Sequence, residues 1–251
     1  MSSSTSSLTS FASLSSDSER SSFVASLTAE QRFQLSDQLK SLLSLVSSSL
    51  PSSTKRTATV KRSTKETTIE VTVDLDGSGK SDISTGLGFL DHMFTALSKH
   101  SLIDITLHCK GDLEVDDHHT AEDCALALGQ ALDESLGRSK AGIHRYGFAY
   151  APLDEALSRA VVDISGRPSA TVDLMFVRES VGKVSTEMLT HVFQSLATSA
   201  KLTLHVSVIE GSNDHHKAES AFKALALALR QAISIDSKRS SNDVPSTKGS
   251  L

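Results

Sequence analysis

The stretch Asp116 to Asp123 reads DDHHTAED, and the stretch Asn213 to Ser220 reads NDHHKAES. An adjacent histidine pair followed by a glutamate one helical turn later therefore occurs twice, and its surroundings repeat with it. HMFTALSKHSLIDITLH from His92 stands beside HVFQSLATSAKLTLH from His191. His92 precedes His118 by 26 residues, and His191 precedes His215 by 24. This internal duplication limits the fold more than any other feature of the chain, because duplicated units of this size bury a common core rather than forming two independent beads.

Apolar periodicity fills in the units. Ile69, Val71, Val73 and Leu75 alternate with polar residues and run into DGSG, the pattern of a strand entering a tight turn. Leu90, Met93, Phe94 and Leu97 have helical spacing over 89–100, and Ile103, Ile105, Leu107 and Cys109 then alternate as a strand. GDLEV suggests one more strand, and His118 to Leu136 reads as a long helix closed by Gly137. The second half follows suit: strands over 161–164 and 170–176 around the turn SGRP, a helix over 187–199, a strand over 202–208 and a helix over 215–233. With one early strand that the pattern marks poorly, each half reads ββαββα. The fold expected is α+β, with duplicated halves at about 61–150 and 151–251.

Ahead of them lies a leader, residues 1–60, rich in Ser and Thr. Its one apolar periodic piece, SFVASLTAEQRFQLSDQLKSLLSLV, predicts a helix over 22–46 in an otherwise disordered segment. A hydroxylated start resembles an organelle transit peptide, but such peptides are basic, and Asp17, Glu19, Glu30 and Asp37 count against one. The expected compartment is cytoplasmic, with an organelle as the alternative. Net charge of −5, no Trp and 4% aromatic residues give no reason to expect nucleic acid as a partner. No run approaches the roughly 20 apolar residues of a membrane span. Cys109 and Cys124 form no disulfide framework, which suits a reducing compartment, and they read as small buried apolar residues.

On a helix, residues four apart share a face, so His118 with Glu122, and His215 with Glu219, each present half of a metal site. His119 and His216 are turned about 100° away and must serve another ion or none. If the two helices face each other, within a chain or across a subunit boundary, His191 and His216 complete the set of His118 and Glu122. Reciprocally, His92 and His119 complete that of His215 and Glu219. Imidazole and carboxylate donors without thiolate suit Mn, Fe, Co, Ni or Zn better than Ca or Mg. Asp91, Asp117 and Asp214 each directly precede a candidate ligand, as acceptors for imidazole N–H groups or as helix caps. Arg145, Arg167, Lys223 and Lys248, with Ser246 and Thr247, form a set that a dianionic phosphate would use, although spacing alone favours a solvated surface role for them.

The motifs STGLGFLDHMFTALSKHS, GDLEVDDHHTAEDCALALGQAL, APLDEALSRAVVDISGRP, NDHHKAESAFKALALALRQAI and VPSTKG, in this order, closely resemble imidazoleglycerol-phosphate dehydratases, a family of histidine biosynthesis. The resemblance runs from about Lys61 to Leu251. It implies four-stranded sheets with helices packed between them, and two Mn²⁺ per active site. One ion falls to His92, His119, His215 and Glu219, the other to His118, Glu122, His191 and His216. Substrate contacts carry over onto Glu66, Lys99, Arg145, Arg167, Lys223, Ser246, Thr247 and Lys248, with Glu66 as the candidate catalytic acid/base. A shell of 24 identical subunits with shared active sites is implied as well. GRSKAGIHRYG carries one residue more before Arg145 than many relatives, and the leader has no counterpart in the shorter members.

The implied activity is that of a hydro-lyase, a carbon–oxygen lyase that removes water from imidazoleglycerol phosphate to give imidazole acetol phosphate. The proton to be removed sits on a carbon with no neighbouring carbonyl, so an enolate route is closed. An imidazolate form of the substrate ring, favoured by Lewis acids, would expel the hydroxyl through a diazafulvene-like species. A metal-storage protein would have no use for the phosphate-binding set, and a metallohydrolase is disfavoured by the absence of HExxH and by four protein ligands per ion.

Overall fold

The computed structural model describes residues 10–49, 55–138 and 140–251. The chain divides into two compact units, Met1–Lys55 and Arg56–Leu251. In the first unit, where the sequence pattern gives one helix over 22–46, the described residues of that stretch fall in two, α1 (Asp17–Ser26) and α2 (Ala29–Ser49). Each has its own start signal. The Glu19 N–H donates to Ser16 Oγ (3.2 Å) while the Glu19 carboxylate accepts from the Ser16 N–H (3.0 Å). Gln31 and Thr28 repeat the exchange, at 3.3 and 2.9 Å. Reciprocal capping of this kind starts a new helix even where apolar spacing continues across the break. The second unit begins at Arg56, ahead of the expected boundary at 61, because β1 (Thr57–Ser63) pairs along its whole length with β2 (Thr67–Asp74).

From there the first half continues with β3 (Ser81–Ser84), α3 (Gly88–Ser101), β4 (Asp104–Gly111) and α4 (His118–Leu136). The second half comprises β5 (Tyr146–Leu153), β6 (Ala156–Asp163), β7 (Ser169–Asp173), the small hairpin β8 (Ser180–Val181) and β9 (Val184–Ser185), α5 (Thr186–Ser199), β10 (Thr203–Glu210) and α6 (Asp214–Ile233). The main sheets have orders β1-β2-β4-β3 and β5-β6-β10-β7, and in both the last pair is parallel. Identical topology in the two halves establishes the duplication in three dimensions, and the α+β class is as expected.

Counting main-sheet strands and leaving the small β8–β9 hairpin aside, the order within each half is βββαβα rather than ββαββα, with three such strands before the first helix. GDLEV is a turn, closed by the Val115 N–H donating to Asp112 O (2.8 Å), because Gly111 ends β4. The missing strand is β3, whose SDIS has a single apolar residue. It is extended because β4 pairs with it, and pairing context outweighs intrinsic preference in an edge strand. In the second half, β5 escapes the alternation pattern for a different reason. Tyr146, Phe148 and Tyr150 are 55%, 65% and 56% exposed, so YGFAYAPL carries apolar residues on its outer face as well as its inner one.

The helices lie between the sheets. α4 covers β1 and β2, α6 covers β5 and β6, and across the halves α3 packs on α6 and α4 on α5. A ring cluster locks the cross-packing: Phe222 of α6 sits 4.4 Å from Phe193 of α5 and 6.2 Å from Phe94 of α3, centroid to centroid. All three rings are fully buried in a core continuous across both halves. Close approach of α6 to β5 requires a glycine, since a Cβ on Gly147 would collide with the Ala228 carbonyl oxygen.

Candidate active site

Each histidine pair opens a long helix. The His118 N–H donates to Asp116 Oδ1 (2.9 Å) and the His215 N–H to Asn213 Oδ1 (2.9 Å), so the pairs occupy the first turns of α4 and α6. One turn on, Glu122 and Glu219 share a face with His118 and His215. The packing of α3 on α6 brings His92 to the second pair: its Nε2 lies 3.0 Å from Glu219 Oε2, and His215 Nε2 lies 3.3 Å from the same oxygen. The packing of α5 on α4 brings His191 to the first pair, with Nε2 3.0 Å from Glu122 Oε1, while His118 Nε2 is 3.8 Å from Glu122 Oε2.

The result is two triads, His92/His215/Glu219 and His118/Glu122/His191, each with its donor atoms within 4.8 Å of one another. Every triad draws ligands from both halves of the duplication. Two imidazole nitrogens and a carboxylate oxygen converging in this way fit a first-row divalent ion, in which a partly open coordination sphere awaits further donors. Burial alone would raise the Glu219 carboxyl, but hydrogen bonds from Lys223 and His92 outweigh it and hold the group at about 2. The carboxylate is thus ionised, as a ligand must be.

His119 and His216 stand outside both triads. His119 Nδ1 lies 2.9 Å from Asp112 Oδ2, and its Nε2 lies 3.7 Å from Glu66 Oε1. His216 Nδ1 lies 2.6 Å from Glu155 Oε2, and its Nε2 lies 3.9 Å from Asp154 Oδ2. These contacts raise both imidazoles, chiefly through Asp112 and Glu155 respectively, and the His216 contact brings Glu155 down to about 2.

None of the three aspartates preceding a histidine meets an imidazole among the described contacts. Asp91 accepts from the Thr85 N–H and hydroxyl (2.8 and 2.6 Å), Asp117 from the Ser185 N–H (2.6 Å), and Asp214 from the Val177 and Arg178 N–H groups and Lys217. They fasten helix starts and neighbouring loops. Sequence reasoning missed Asp112 and Glu155. The signal for Glu155 was available, because the β5–β6 hairpin tip that carries it is the duplicate of the β1–β2 tip that carries Glu66.

Comparison with known proteins bears on these residues directly. The family model described as imidazoleglycerol-phosphate dehydratase matches residues 85–229, which hold both histidine pairs and both single histidines. The chain belongs to the imidazoleglycerol-phosphate dehydratase family. It is 59% identical over 201 residues to the imidazoleglycerol-phosphate dehydratase of Phaffia rhodozyma, covering 78% of this chain and 96% of that protein. Identity to the Phytophthora nicotianae protein of the same name is also 59%, over 196 residues, but there the match spans 42% of the relative's length. The crystal structure of the Staphylococcus aureus enzyme superposes with a TM-score of 0.65 at 36% identity, covering 72% of this chain and 99% of that one. The Pyrococcus furiosus enzyme, solved in complex with (S)-C348, gives 0.65 at 35% identity, covering 76% and 100%.

The phosphate-binding residues implied by the family resemblance fall into separate groups in the chain. Lys223 joins the His92/His215/Glu219 triad, with Nζ 2.7 Å from Glu219 Oε1. Arg145 is buried, held by Asp163 (2.7 and 3.1 Å) and donating to the Pro245 carbonyl (2.8 Å), which fixes the start of the Ser246–Thr247–Lys248 tail. Its backbone is left-handed, with φ 72°, and is tied down by Ala232 O and the Ile164 N–H. Arg167 is exposed at the same end of β6, its Nη1 donating to Ser165 O (3.1 Å), and Lys99 is exposed on α3. A depression of about 690 Å³ on the first sheet, lined by Lys61, Arg62, His108 and Lys110 among others, contains none of the expected site residues.

Proposed function

We propose that this chain catalyses the Mn²⁺-dependent dehydration of imidazoleglycerol phosphate to imidazole acetol phosphate in histidine biosynthesis, with two ions per active site. The observation that carries the reading is the pair of three-donor triads, each accompanied by a histidine on the same helix that cannot reach it. Family membership supports the reaction. On this reading His119 and His216 complete the triads of neighbouring copies, so the active site exists only in a homo-oligomer, here proposed to be of 24 subunits. The exposed row Tyr146, Phe148 and Tyr150 supports association, since contiguous apolar surface of this kind is normally covered. The protein would act on a small phosphorylated imidazole, without nucleic acid or membrane, in the cytoplasm. Among the described residues no helix is long and apolar enough to cross a membrane.

Two bound divalent ions would supply Lewis acidity that favours the imidazolate form of the substrate ring. The chain's own residues do the rest. Glu66, half exposed beside His119, takes the carbon-bound proton; the hydroxyl on the carbon attached to the ring leaves; and the enol so formed tautomerises to the ketone. Lys99, Arg167, Lys223 and the Ser246–Lys248 tail bind and orient the phosphate, and Arg145, anchored on Asp163, positions that tail while offering its remaining N–H groups.

The test is turnover of imidazoleglycerol phosphate by chelator-stripped full-length protein, with and without added Mn²⁺, recorded with metal content. Product formation that requires Mn²⁺, at about two ions per subunit, is the expected result. Two bound ions without turnover would point instead to a storage or structural metal protein.

A further inference from the structure

We infer that Asp112 and Glu155 are positioning residues that present the Nε2 atoms of His119 and His216 as metal ligands. This rests on the two-ion reading proposed above. A neutral imidazole carries one N–H, and whichever nitrogen donates it leaves the other as the ligand. Both outlying histidines have a carboxylate oxygen on Nδ1, at 2.9 Å for His119 and 2.6 Å for His216. The proton is therefore held on Nδ1 and the lone pair on Nε2, the orientation that a carboxylate–histidine–metal relay needs.

Two features separate this arrangement from incidental surface pairing. Asp112 follows β4, whereas Glu155 lies at the tip of the β5–β6 hairpin, so the carboxylates occupy non-equivalent places in the two halves. The duplication alone does not generate them, yet both arrive at the same ring nitrogen. Each carboxylate is also committed. Glu155 Oε1 accepts from the Asn213 N–H (2.8 Å) and the Ser212 N–H (3.2 Å), which clamps the group against the start of α6 and leaves Oε2 for the imidazole. Asp112 Oδ1 is buried without a hydrogen-bond partner, so His119 is the one side-chain partner of that carboxylate among the described residues. Asp112 therefore does not act as a turn former of the kind Asp104 is, whose carboxylate accepts from the Ser78 and Lys80 N–H groups, and Glu155 keeps one oxygen for the imidazole while the other accepts from backbone N–H groups.

The experiment is Mn²⁺ titration of the full-length protein by calorimetry, with urea midpoints recorded to confirm folding. Wild type, Glu155→Ala, Glu155→Gln, Asp112→Ala, His216→Ala and the double variant Glu155→Ala/His216→Ala are compared. Glu155→Ala is expected to weaken one of the two ions per subunit by about 10–100-fold and leave the other unchanged, and Asp112→Ala to weaken the other ion alone. Glu155→Gln, whose amide oxygen still accepts from Nδ1–H, loses less than Glu155→Ala. In the His216→Ala background Glu155→Ala has no further effect. Wild-type affinity for both ions in Glu155→Ala, or an equal loss with and without His216, would overturn the inference. A wild type that takes up no Mn²⁺ would instead remove the two-ion reading, and the inference with it.

Discussion

The Phe222 ring packs against helices that contribute to both triads. It lies between Phe193, on the helix of His191, and Phe94, on the helix of His92, while its own helix carries His215 and Glu219. Phe222→Leu keeps most of the volume and removes two ring–ring pairs. At about 0.5–1.5 kcal/mol each, these give an expected loss of about 1–3 kcal/mol. Phe222→Ala adds the cavity and reaches about 3–5 kcal/mol. The assay is urea unfolding followed by far-ultraviolet circular dichroism at one fixed protein concentration, because association shifts apparent stability. With a slope of about 2 kcal/mol per molar, a 2 kcal/mol loss lowers the midpoint by about 1 M. Phe33→Leu, on a ring 67% exposed in the first unit, serves as the control and should stay within about 0.5 kcal/mol. An unchanged midpoint in Phe222→Leu would refute the view that this ring cluster holds the cross-packed helices together.

Three further outcomes are expected. Glu66→Gln keeps Mn²⁺ and substrate binding, measured by calorimetry, while losing most turnover; near-normal turnover removes Glu66 from its role. Gly147→Ala pushes β5 off α6, because the new methyl meets the Ala228 carbonyl, and should cost about 1–3 kcal/mol in the same urea assay. Asp133 is buried enough that desolvation would raise its carboxyl, yet Lys140 (2.8 Å) and Lys201 (2.7 Å) depress it below its ordinary value. A depressed folded-state value means that this stabilisation is present above the unfolded value, near 3.9, and is lost as pH falls through the folded one. The stability gap between wild type and Asp133→Asn should therefore persist from pH 7 to about 5 and narrow only below about 4; a gap that closes by pH 6 would contradict it.

The parts of the fold that could be read in the sequence were those in which a local period coincides with burial. The helices carrying His92, His118, His191 and His215 bury one face each, so their apolar spacing is clean, and the duplication aligns them in pairs. β3 and β5 could not be read this way. One is a four-residue edge strand with a single apolar side chain, and the other has aromatic residues on its outer face. At the site, ligands on shared helical faces followed from the angle per residue. Asp112 did not, because only tertiary packing brings the turn after β4 to His119, and Glu155 was legible only through the duplication, as the counterpart of Glu66.

The proposed completion of each triad by a histidine from another copy is tested most directly by subunit complementation. His92→Ala and His119→Ala each damage the same ion site, one through the triad and the other through the donated histidine. Refolded separately with Mn²⁺, both variants should lack turnover. Co-refolded in equal amounts, they should regain activity at about a quarter of the sites, since an intact triad then meets an intact His119 by chance pairing of neighbours. No recovery in mixed assemblies of normal size, with both variants individually folded, would contradict shared sites and return the fourth ligand to the same chain.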